Sequence, residues 1–62
     1  MIKKISVGDR ILFQNSGEKE EGVIIDTVSY PEIGRILDVI TDKGEEVVKE
    51  ADVIRKIKSR AV

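Results

Sequence analysis

The chain has no cysteine, no histidine and no tryptophan, and it holds a single proline and two aromatic residues, Phe13 and Tyr30. Without cysteine there is no disulfide staple, and without cysteine and histidine the usual ligands of a structural zinc are missing too. The same two absences remove every nucleophile–base–orienter set built on Cys or His. A cage of several aromatic rings around a methylated lysine or arginine cannot be assembled from two rings, one of which is a core candidate. No apolar run approaches membrane-spanning length. The opening Met1-Ile2-Lys3-Lys4-Ile5 is followed at once by Ser6-Val7-Gly8-Asp9, which is not the apolar stretch of a signal peptide. A cytoplasmic protein is expected.

What is present is aliphatic and charged. Of 62 residues, 40% are hydrophobic, almost all of these Ile, Val and Leu, and 37% are charged. This is a globular composition. A chain this short buries only about 60% of its unfolded surface, so one core supplies roughly 3–5 kcal/mol. Stability must then come from a well-packed aliphatic core, from oligomerisation, or from both.

Net charge is −1, but its distribution is uneven. Residues 1–8 and 53–62 carry Lys3, Lys4, Arg55, Lys56, Lys58 and Arg60 and no acid, a charge of +6. Residues 9–52 carry all twelve acids against Arg10, Lys19, Arg35, Lys43 and Lys49, a charge of −7. Either the ends are two solvated tails or they form one basic patch.

The apolar residues are β-branched and come in short runs, which favours strands. Turn signals recur about every ten residues, at Gly8-Asp9, Asn15-Ser16-Gly17, Gly22, Tyr30 to Gly34 and Asp42-Lys43-Gly44, as in a small sandwich or barrel. Strands are predicted at about 10–15, 21–29, 35–41 and 45–49, with a short last strand near 54–57. Alternation turns Ile11, Phe13, Leu37 and Val39 inward. The predicted core adds Ile24, Val47 and Ile57 and leaves Ile36, Ile40 and Val48 exposed. The second strand is apolar on both faces at its start, as a long bent strand would be, with Gly22 at the bend. Asp42-Lys43-Gly44 predicts a tight hairpin with Gly at positive φ. The segment from Lys49 to Ile54 predicts one 3₁₀ turn. A helix over 45–58 is disfavoured by Val47, Val48, Val53, Ile54 and Ile57. Glu18-Lys19-Glu20-Glu21 reads as a solvated loop tip.

The order of these features resembles the SH3-like barrels of the KOW and Tudor-like type. The matching residues are the Val7-Gly8-Asp9-Arg10-Ile11 opening, Gly22-Val23-Ile24 in the second strand, the Asp-x-Gly hairpin and Asp52-Val53 before a short last strand. They cover about residues 5–57. The resemblance implies an all-β, five-stranded SH3-like barrel with a 3₁₀ turn before the last strand, one domain over 1–62 with basic tails at both ends. It says more of fold than of function. Within that class the plasmid-borne type II dihydrofolate reductases are similar in length, in the Gly8-Asp9-Arg10 start and in the Pro31-Glu32-Ile33-Gly34 loop. They work as tetramers around a pore lined by Val-Gln-Ile-Tyr, where this chain reads Glu46-Val47-Val48-Lys49, without the pore Gln and Tyr. No enzymatic activity, cofactor or metal is expected.

Two features remain for binding. The loop through Tyr30, Pro31 and Ile33 offers an aromatic and an aliphatic group at a surface turn, although Tyr30 serves equally well as a cap on the core. The basic ends, Lys3, Lys4, Arg55, Lys56, Lys58 and Arg60, come close together if first and last strands are neighbours. With no aromatic interleaved among them, phosphate contact rather than base stacking is the mechanism to expect. The leading expectation is a binding module for nucleic acid or a nucleic-acid-bound complex. A protein–protein adaptor or homo-oligomer comes second.

Overall fold

The computed structural model describes residues 5–58. They form β1 (Arg10–Asn15), β2 (Glu18–Tyr30), β3 (Gly34–Thr41), β4 (Gly44–Lys49), a 3₁₀ turn (Glu50–Asp52) and β5 (Val53–Lys58). All five strands belong to one sheet in the order β4-β3-β2-β1-β5, every neighbour antiparallel. The all-β class and the 3₁₀ turn before the last strand are as the sequence predicts. No helix among the described residues is long and apolar enough to cross a membrane.

The turns explain why the strands meet in this order. Ser16 (φ 51°) and Gly17 (φ 84°) form a two-residue loop between Asn15 and Glu18. Positive φ at both positions is what a hairpin matched to the twist of its strands requires. Gly44, after Asp42-Lys43, has φ 121°, the conformation expected of it. Residues 18–21 are not a loop tip: the two-residue turn brings them straight into β2, where Glu20 lies opposite Phe13 and Glu21 opposite Leu12.

β2 is long because it serves two halves of the sheet. Its pairing with β3 shifts between Ile24↔Val39 and Asp26↔Asp38, so Ile25 has no partner and the strand bends at a bulge. Gly22, predicted as the bend, has a different role. A Cβ there would run into Val39 Cγ1 and would lie 2.7 Å from the Ile40 carbonyl oxygen, so the position admits only glycine at this approach of β3.

Ile5, Ile11, Phe13, Ile24, Leu37, Val39, Val48 and Val53 form the core. Two of the predicted core residues are elsewhere. Val47 is 75% exposed and Val48 is buried in its place. The run Glu45-Glu46-Val47-Val48-Lys49 does not alternate, so its face is decided by the register from the hairpin, which sets Val48 opposite Leu37 and Val47 opposite Asp38. Ile57 is half-buried because two register shifts in the β1–β5 ladder leave Ile54 and Ile57 without direct partners. Val53, opposite Phe13, takes the core position instead.

The sheet is strongly curled. The four steps from Lys49 to Val53 span at most about 14 Å, whereas β4 and β5 would stand about 19 Å apart across a flat five-stranded sheet. Three residues nevertheless carry the chain from one edge to the other. The concave side holds the core, and the convex side faces solvent.

Candidate functional site

The Gly8-Asp9 turn places the basic last strand. Gly8 (φ 99°) donates its N–H to the Ile24 carbonyl at 2.8 Å, and Ile24 donates back to the Asp9 carbonyl at 3.0 Å. The Asp9 carboxylate is buried and accepts the Ser6 N–H at Oδ2, 2.9 Å away. Lys56 Nζ lies 3.7 Å from the same oxygen. Lys56 therefore faces the core side, opposite Ile11, and balances a buried charge.

Arg55 and Lys58 point the other way. Their partners in β1 are Leu12 and Arg10, and cross-strand partners share a face. The convex side of β1 and β5 thus carries Arg10, Arg55 and Lys58 around the half-buried Leu12. Arg10 belongs to the acidic middle of the sequence, and only the β1–β5 register moves it into the basic group. Its Nη1 is 3.9 Å from Glu21 Oε1, an exposed pair worth no more than about 1 kcal/mol. Lys3, Lys4 and Arg60 lie outside the described residues.

The loop Tyr30, Pro31 and Ile33 is fully on the surface, with Ile33 62% exposed. Tyr30 does not cap the core. It lines an open convex groove of about 240 Å³ with Val28, Ile36 and Val47. Asp26 and Asp38, cross-strand partners, sit at the same groove. Asp38 also raises the Glu45 carboxyl above its ordinary range, first by a side-chain hydrogen bond and then by its charge. Among the described residues no cation lies within ion-pair distance of Asp26, Asp38 or Glu45.

A second open groove of about 520 Å³ lies between Arg10, Glu21 and Ile40 on the same convex side. At the hairpin end of the sheet, Glu20 Oε2 accepts from Asn15 Nδ2 at 3.3 Å and from Lys43 Nζ at 3.4 Å. That hydrogen bond and the charges of Glu20 and Glu18 raise the Lys43 ammonium above its usual value. No group of three or more acids among the described residues is arranged to hold a metal ion. Arg35 is structural: its Nη2 donates to the Ile5 carbonyl at 2.7 Å and its Nε lies 3.4 Å from Glu50.

Comparison with known protein families, with curated proteins and with solved structures found no match.

Proposed function

We propose that the chain is a non-enzymatic binding module, an SH3-like barrel of the KOW and Tudor-like type, that contacts nucleic acid through the convex side of β1 and β5. The fold part of this reading is supported by the five-stranded order, the long bulged β2, the Gly-Asp turn hydrogen-bonded to it and the 3₁₀ turn between β4 and β5. The binding part rests on one observation: the β1–β5 register gathers Arg10, Arg55 and Lys58 on one exposed face. Cations without interleaved aromatics position phosphates and read little sequence. The −7 of the middle segment repels the same polymer, so affinity is modest and falls steeply with salt.

The test is fluorescence anisotropy with a labelled duplex and a labelled single strand at two salt concentrations. Arg55→Glu and Lys58→Glu are each expected to remove most of the signal, and Lys43→Glu, at the hairpin end beside Glu20, to leave it. Lys56 is spared, because a glutamate there would face the buried Asp9. Equal loss from all three variants would report bulk charge and overturn the reading, as would no binding at low salt. A second reading, a module that contacts protein, is favoured by the exposed Val28, Tyr30, Ile33, Ile40 and Val47.

A further inference from the structure

β4 is an edge strand with no partner on its outer side among the described residues. Its six residues pair with β3 without a register shift, from Thr41↔Gly44 to Ile36↔Lys49. A regular edge of this kind is a template for another strand. Counting the alternation of an antiparallel ladder from the Thr41–Gly44 pair that closes the hairpin, the N–H and C=O groups of Glu45, Val47 and Lys49 point away from β3. The side chains of the same three residues stand on the convex side, opposite Ile40, Asp38 and Ile36.

We propose that two copies of the chain pair β4 to β4, antiparallel, about a two-fold axis through Val47. The pattern Glu45-x-Val47-x-Lys49 is self-complementary under that operation. Val47 exchanges both backbone hydrogen bonds with its own copy, and Glu45 of each chain lies opposite Lys49 of the other. Opposite charges directly across an antiparallel pair are stabilising, and like charges are not. Val47, at 75% the most exposed of the large aliphatics among the described residues, gains a cross-strand neighbour of its own kind.

Two further observations point to a second copy rather than to an unrelated strand. Glu45 is crowded by Asp38 and has no cation within ion-pair distance among the described residues of its own chain, and Lys49 of the second copy supplies one. The other end of the described sheet, β5, is a poor mate for β4: its pairing with β1 is broken by two register shifts, and β4-to-β5 pairing is heterologous, so it would build open chains. The β4–β4 contact closes on itself.

The experiment is sedimentation velocity over a concentration series, with circular dichroism to confirm that each variant is folded. The natural chain is expected to move from monomer to dimer and to stop there. Glu45→Lys sets lysine opposite lysine, and Lys49→Glu sets glutamate opposite glutamate. Each variant alone is therefore expected to dimerise roughly tenfold or more weakly, at least about 1.4 kcal/mol. In a mixture, one chain brings lysine at positions 45 and 49 and the other brings glutamate at both. Every cross-strand contact then joins opposite charges, and a heterodimer is expected to form as readily as the natural dimer. Val47→Lys, which keeps an acid neighbour in Asp38, is expected to stay folded and monomeric. A natural chain that is monomeric at millimolar concentration would overturn the proposal. So would single reversals that dimerise like the natural chain, or a mixture that does not recover.

Discussion

The two edges of this sheet have the same length and opposite characters. β4 (Gly44–Lys49) is regular, carries Glu45 and Glu46 against one lysine, and displays the most exposed aliphatic side chain of the described chain. β5 (Val53–Lys58) carries Arg55, Lys56 and Lys58 and is interrupted twice in its pairing with β1. Bulges and cations are the means by which sheet proteins keep an edge from recruiting strands. β5 has both, and β4 has neither a bulge nor a proline. The difference separates two kinds of surface: one edge fit for backbone pairing, the other for side-chain contact with an anion.

The largest effect is expected where both edges share support. Phe13 is fully buried and lies opposite Val53 in β5 and Glu20 in β2. Phe13→Ala is expected to cost about 3–5 kcal/mol, comparable to the whole stability. Circular dichroism should then show a largely unfolded chain and both edges lost together. An unchanged melting temperature would remove Phe13 from the centre of the account.

Asp9 separates the edges. Asp9→Ala leaves the Ser6 N–H without its acceptor and Lys56 without its counter-charge, at an expected cost of about 1–3 kcal/mol. Amide hydrogen exchange should quicken in β5 and in the Gly8-Asp9 turn and stay slow in β3 and β4. Uniform quickening would mean that β5 has no separate anchorage.

The smallest effect belongs to β4. A carboxyl raised in the fold binds its proton more tightly there than in the unfolded chain. Stability is thus lost as pH climbs from the ordinary glutamate range through the raised value of Glu45, and neutral pH carries the penalty. Asp38→Asn removes the charge behind it. Thermal midpoints across mildly acidic to neutral pH should then fall less with rising pH than those of the natural chain. Parallel curves would deny the Asp38–Glu45 coupling.

Much of the fold was legible because its turns are written in residues with few alternatives. Gly17 and Gly44 need positive φ, and the spacing between them fixes most strand bounds. The β4 face was not legible, since two adjacent valines between acids and a lysine satisfy either register. Only the hairpin, seen in three dimensions, selects Val48. The basic group was legible in part. Sequence order gathers Arg55, Lys56 and Lys58, but it cannot show that Lys56 turns inward to Asp9 or that Arg10 joins from β1. Both depend on bulges in the β1–β5 ladder, and a bulge has no signature in a run such as Val53-Ile54-Arg55-Lys56-Ile57-Lys58. The close approach at Gly22 was likewise visible only as a glycine.

Amide chemical-shift mapping tests the division of labour between the edges most directly. The ¹H–¹⁵N spectrum of the full chain would be followed in two titrations, one adding a short oligonucleotide at low salt and one diluting the protein. The oligonucleotide is predicted to shift Arg10, Leu12, Arg55 and Lys58, and dilution to shift Glu45, Val47 and Lys49. If the oligonucleotide moves β4, or if both titrations move the same amides, the two edges are not distinct surfaces and the account fails.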